Sequence, residues 1–167
     1  YHKSLGPTKR LMLNDVALPQ TYTQVWNDTD PDQHVITIGN DGNAGSNWHG
    51  VGEQIIYAWH SVPGYSRIGT FMGNGSSSGP FIYCGFRPAW ILWKRWNGTE
   101  NWVVINSKSS PINPVDLFLR MDETATESSG AATCDFVSDG FTIRNSDTKS
   151  NANGDYYLFM AFAEQPL

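Results

Sequence analysis

Apolar residues along this chain come in short runs, and nearly all of them read as strands. Residues 80–83, 89–96, 102–105, 117–119, 141–143 and 156–162 are aromatic or branched, and Gly, Pro, Asn or Ser bounds most of them. The spacing predicts a hairpin that joins 89–96 to 102–105 across Asn97-Gly98-Thr99-Glu100-Asn101, with Trp96 and Trp102 paired at its mouth. In its first strand Trp90 and Leu92 face one way, and Ala89, Ile91 and Trp93 the other. Both faces are apolar and both need covering, until Lys94 and Arg95 end the run. No window holds helical spacing over more than two turns. The pattern predicts an all-β fold, an antiparallel sandwich of two packed sheets in which Trp90 and Trp93 are both largely buried.

The pattern also repeats. Ile36-Thr37-Ile38-Gly39-Asn40 returns as Phe141-Thr142-Ile143-Arg144-Asn145, and each copy is followed by a polar loop rich in Gly and Asn. Each loop runs into a strand-like stretch that closes on Ala, an aromatic and then Pro, residues 55–63 in one copy and 158–166 in the other. Upstream, Leu11-Met12-Leu13 corresponds to Leu117-Phe118-Leu119. The expected organisation is a partial first repeat over 1–63 and a complete second repeat over 64–167, together forming one sandwich. The first copy has no counterpart of 64–104, so the expectation is the C-terminal part of a longer polypeptide, with the missing edge supplied upstream or by a neighbouring copy.

Composition narrows the picture. The 167 residues include 7 Trp, 7 Tyr and 8 Phe, enough large apolar area to oppose the entropy of ordering the chain. Eleven basic against sixteen acidic residues give a net charge of −5, without the basic footprint of a nucleic-acid binder. No unbroken apolar stretch comes near the ~20 residues of a membrane-spanning helix. Cys84 and Cys134 stand alone in apolar or small-residue settings and read as buried free thiols.

Candidate chemistry is sparse. A glycosidase on a sandwich needs paired carboxylates on one strand face, and the five glutamates are all well separated. Asp28, Asp30 and Asp32 alternate and form a candidate set of oxygen ligands for Ca²⁺, but the Gly and the distant bidentate Glu of a calcium loop are missing, so a solvated turn is the expectation. His34, His49 and His60 lack a second ligand at metal spacing, and Ser76-Ser77-Ser78 lacks the strand-turn-helix setting of a nucleophile. No catalytic residue and no cofactor is expected. What remains is aromatic residues beside amides. Sugar rings stack on Trp or Tyr faces while amides take the hydroxyls, which makes Asn47, Trp48 and His49 in the first long loop, with Trp26 upstream, the candidate ligand-binding residues.

Val62-Pro63-Gly64-Tyr65-Ser66, Gly73-Asn74-Gly75-Ser76, Gly79-Pro80-Phe81, Gly85-Phe86-Arg87-Pro88-Ala89 and the closing Tyr157-Leu158-Phe159-Met160-Ala161-Phe162-Ala163-Glu164 together resemble a duplicated domain of unknown function. It is found towards the C-terminus of structural proteins of tailed phages, often marine ones, including tail fibres. The resemblance implies a virion setting, a jelly-roll or concanavalin-lectin-like sandwich, and no reaction. The expectation is a non-enzymatic virion module: a tail-fibre or receptor-binding domain for host-surface glycan, self-associating as homo-oligomers such as trimers or with other virion proteins, without nucleic acid or membrane insertion. The alternatives are a capsid or tail decoration or assembly domain with no ligand, and a fragment of a polysaccharide depolymerase.

Overall fold

A computed structural model describes residues 1–40 and 53–166. Its elements are ten β-strands: β1 (Lys9–Arg10), β2 (Gln20–Thr21), β3 (Ser66–Met72), β4 (Phe81–Tyr83), β5 (Pro88–Arg95), β6 (Val103–Asn106), β7 (Phe118–Arg120), β8 (Cys134–Val137), β9 (Gly140–Ile143) and β10 (Tyr156–Ala163). No helix occurs among the described residues. The chain divides into two compact units, Tyr1–Met12 with Ala17–Ala58, and Leu13–Val16 with Trp59–Leu167.

The first unit is mostly turns around buried Val25. β1 and β2 pair antiparallel, and the Arg10 guanidinium lies 4.0 Å from the centroid of the Tyr22 ring. Residues 36–40, the counterpart of 141–145, carry no strand, and neither do 55–61, expected to be strand-like. Around the first stretch the backbone bonds go to loop closure instead of a ladder: Gly39 N–H donates to the Val25 carbonyl and Asp32 N–H to that of Val35. Ile55, Ile56, Tyr57 and Trp59 are exposed. Their second-copy counterparts lie in β9 and β10, so the repeat in sequence has no matching pair of strands among the described residues.

The second unit is an antiparallel sandwich. A five-stranded sheet of order β3-β10-β5-β6-β7 faces a three-stranded sheet of order β4-β9-β8. The hairpin expected from sequence is β5 with β6, in the register Trp93↔Val103 and Ile91↔Ile105. That register does not pair Trp96 with Trp102; Trp96 instead packs on Tyr156, ring centroids 5.7 Å apart. Alternation sends Phe71, Ile91, Trp93, Val103, Ile105, Phe118, Tyr157 and Phe159 inward from the large sheet, where they meet Ile82, Cys134, Phe136, Phe141 and Ile143. Trp93 is fully buried and stacks on Phe141; Trp90, on the opposite face, is half-buried against Phe162.

Lys94 does not end the covering, contrary to expectation. Its side chain is fully buried, and Nζ donates to the carbonyls of Val16 (3.0 Å) and Glu100 (2.6 Å). The long apolar stem packs while the ammonium finds acceptors, which lets a lysine occupy a covered sheet face. Burial lowers its pKa against the pull of Asp122, Glu100 and Asp15.

Two polar groups tie the loops of the sandwich to its core. The Tyr157 hydroxyl donates to the Thr148 carbonyl and accepts from Ala152 N–H, both at 2.8 Å. Asn151, fully buried, donates to Asn74 Oδ1, Ser76 O and Asn145 O and accepts from Asn74 N–H. Asn151→Ala removes all of these hydrogen bonds from a fully buried position. It should therefore lower unfolding stability by about 2–4 kcal/mol in urea, with the denaturant slope unchanged.

Both cysteines are free and buried, as their settings suggested. Burial raises the Cys84 thiol from 9.0 to about 12, pushes Cys134 up further still, and raises Tyr157 from 10.0 to about 12. Each group keeps its proton longer in the folded state, so its stabilising effect is complete below its unfolded pKa and is lost as pH rises through the folded one. Melting temperature should fall between pH 9 and about 12, and the double variant Cys84→Ala, Cys134→Ala should flatten that fall. A wild-type melting temperature that stays constant over this range would overturn the assignment.

Candidate functional site

The sheet edges decide where the sandwich is open. Outward bonds cap most of them. At β7, Phe118 exchanges both backbone bonds with Ser128; at β8, Cys134 does so with Val115, and the Asn113 amide pairs with both backbone groups of Phe136. On β3, Ser66 is bonded to Val62, and Ile68 to the Ser61 hydroxyl. The next outward residue of β3 is Thr70, whose backbone groups have no such cap among the described residues. On β4 the bonds of Pro80 to Ile143 and of Cys84 to Asp139 set the alternation, which turns the backbone groups of Phe81 and Tyr83 to the open edge.

Between these two edges lies a groove of about 250 Å³, lined by Arg67, Gly69, Thr70, Phe71, Phe81, Ile82, Tyr83 and Phe159. All of these residues belong to the second unit. Its floor is the apolar interior: Phe71, Ile82 and Phe159 are core residues. Its rim is exposed, with Phe81 half open to solvent and Tyr83 more so, beside Arg67 and Thr70.

Local sequence explains this shape. Gly69 sits across from Phe159, and a Cβ there would lie 3.0 Å from Cε1 of that ring. The missing side chain leaves room for the phenyl ring and opens the groove above it. Gly85 follows β4 with φ of +81°, and a Cβ at this position would come within 3.3 Å of the Tyr83 hydroxyl. Glycine thus permits both the turn and the lie of the tyrosine ring. Arg67 makes itself felt across the groove: its charge lowers the Cys84 pKa, although burial outweighs it.

Chemically the groove offers aromatic faces, one guanidinium, the hydroxyls of Thr70 and Tyr83, and backbone donors and acceptors turned to its open edges. That combination suits a ligand with an apolar face and polar edges, such as a sugar ring. Among the described residues no Asp or Glu lines it.

The residues singled out from sequence lie elsewhere. Asn47, Trp48 and His49 fall outside the described residues. Trp26, in the first unit, is half-buried and meets the Tyr1 ring edge-on at 5.9 Å. Asn27 and Asp28 follow with φ of 49° and 47°, a left-handed turn of the kind these two residue types tolerate best. Asp30 accepts from the Tyr1 hydroxyl, and Asp32 from the N–H groups of His34 and Val35, bonds that lower its pKa. Asp32 thus closes a turn, Asp28 lies in one and Asp30 holds Tyr1, and no group of three or more His, Cys, Asp or Glu side chains comes together among the described residues. The signal for the groove was present in Phe81-Ile82-Tyr83, where one core residue stands between two outward aromatics, yet nothing in that triplet names the strand across from it.

A family model described as Domain of unknown function (DUF7483) matches residues 1–166. No curated protein and no solved structure matches.

Gly69→Ala should cost about 1 kcal/mol, because the buried Phe159 ring must move by a few tenths of an ångström to admit the methyl group. Tyr83→Ala, at an exposed rim, should change stability by less than about 0.5 kcal/mol. Urea titrations of the two variants check both figures.

Proposed function

This chain belongs to that family, and from this premise we propose that it is a non-enzymatic structural module of a phage virion, of the tail-fibre or receptor-binding type, whose second unit holds host-surface glycan. The virion setting rests on the order of short motifs running from Val62 to Glu164. The binding role rests on one observation, the aromatic groove between the open edges of β3 and β4. The sandwich fixes the backbone that carries Phe81 and Tyr83, and each ring has only two side-chain torsions to order on capture of a ligand. The lining supplies stacking faces and hydrogen-bonding groups without the carboxylate pair of a glycosidase.

A glycan array probed with the purified chain tests this. Saturable binding is expected, weakened about tenfold by Tyr83→Ala, the loss of one stacked ring. Trp48→Ala should leave it unchanged if the groove is the site, and should abolish it if the first long loop is. Release of reducing ends from host polysaccharide would overturn the non-enzymatic reading in favour of a depolymerase fragment.

A second reading, an assembly or decoration domain that acts through other copies or other virion proteins, is favoured by the uncapped backbone of β4. An unpaired strand edge can accept a strand of another chain. Stable incorporation into particles, with no binding to any glycan, would favour it.

A further inference from the structure

The second unit has five arginines, and four of them are neutralised. Arg87 pairs with Glu164, Arg95 with Asp155, Arg120 with Glu123 and Arg144 with Asp135. Lys149 pairs with Glu100 and Asp147. Arg67 is exposed in the groove and has no ion pair among the described residues, in a chain whose acidic groups outnumber its basic ones by five. Asp139 acts on the Cys84 thiol with the opposite sign to Arg67 but forms no pair with it. An unpaired guanidinium beside two aromatic rims is a complementary site for a ligand that has an apolar face and a negative charge.

We propose that the groove selects acidic saccharides, with the sugar carboxylate on Arg67, the ring face against Tyr83 or Phe81, and hydroxyls on Thr70 and the free backbone of β4. This rests on the glycan-binding reading above and adds the class of sugar. The dimensions favour a saccharide over a docked strand. The free backbone is that of Phe81 and Tyr83 on β4 and of Thr70 alone on β3, too short a ladder to hold a strand, whereas about 250 Å³ admits one or two sugar rings. The guanidinium presents a planar fork that meets a carboxylate through two parallel bonds, a geometry that neutral hydroxyls do not match. Net negative charge repels polyanions at long range, so this selection acts at contact.

The test uses the whole chain with three acidic probes, trigalacturonate, a hyaluronan tetrasaccharide and sialyllactose, and their uncharged counterparts trigalactose, tetra-N-acetylchitotetraose and lactose. Affinities come from calorimetry at about 0.15 M salt, and binding is located from backbone amide shifts in NMR. At least one acidic probe should bind about tenfold or more tightly than its counterpart, with shifts at Gly69, Thr70 and Phe81 to Tyr83. Arg67→Met, which keeps the apolar stem, should abolish that preference while Tyr83→Ala weakens charged and neutral sugars alike. Equal binding of acidic and neutral probes, or a preference that survives Arg67→Met, would overturn the acidic selection and leave the glycan reading standing. Failure of all six probes, together with a silent glycan array, would overturn both. Concentration-dependent self-association that shifts the same amides would assign the groove to a strand of a second copy, and would likewise overturn both.

Discussion

Burial of the aromatic residues of β10 against both of its neighbours and the opposite sheet holds this sandwich together. Tyr157 stacks on Phe71 of β3 at 4.9 Å, and Phe159 meets Phe71 on the same sheet and Phe141 on the other. Phe141 in turn stacks on Trp93 of β5, so a single ring of β9 is touched from three strands of the large sheet. Each such contact adds about 0.5–1.5 kcal/mol to the area it buries. The two polar ends in this cluster point away from it and fix loops: the Tyr157 hydroxyl holds Thr148 and Ala152, and the Trp93 indole donates to the Lys149 carbonyl at 2.9 Å. One cluster therefore sets the sheet spacing and the course of residues 148–152, which brings Asn151 to the loop after β3.

The groove is a by-product of that packing. A side chain at position 69 would compete with the Phe159 ring for the same space, so the core demands glycine there, and glycine in an edge strand leaves a notch. Across the notch, β4 is three residues long and has a partner on one side only. The other edges are closed by Ser128, Val115, Asn113, Val62 and Ser61, which is how an antiparallel sandwich ordinarily keeps its unpaired backbone from other chains. The place left open is the one where aromatic residues and an arginine are exposed.

Most of the sandwich was legible because its strands advertise themselves. β5, β6 and β10 are runs of large apolar residues, and their pairing follows from alternation and from the Asn-Gly turn between β5 and β6. β3 was not legible. Its apolar residues are few, Gly69 interrupts it, and the ring that occupies the space above Gly69 comes from a strand about ninety residues later. β8 was hidden for a similar reason, since Cys134 and Phe136 alternate with Asp135 over only four residues. The groove depends on β3, so a reading that missed β3 could not find it. The strand-like runs of the first copy show the converse limit. Residues 36–40 and 55–61 have β-forming composition, but composition supplies no partner, and a strand exists only through its ladder.

A division of labour between core and rim follows from these placements. Phe159, Phe71 and Ile82 form the groove floor and also the core, so they cannot change without loss of stability. Arg67, Thr70, Phe81 and Tyr83 are exposed and contribute little to folding, so the rim can vary in charge and shape while the floor stays fixed.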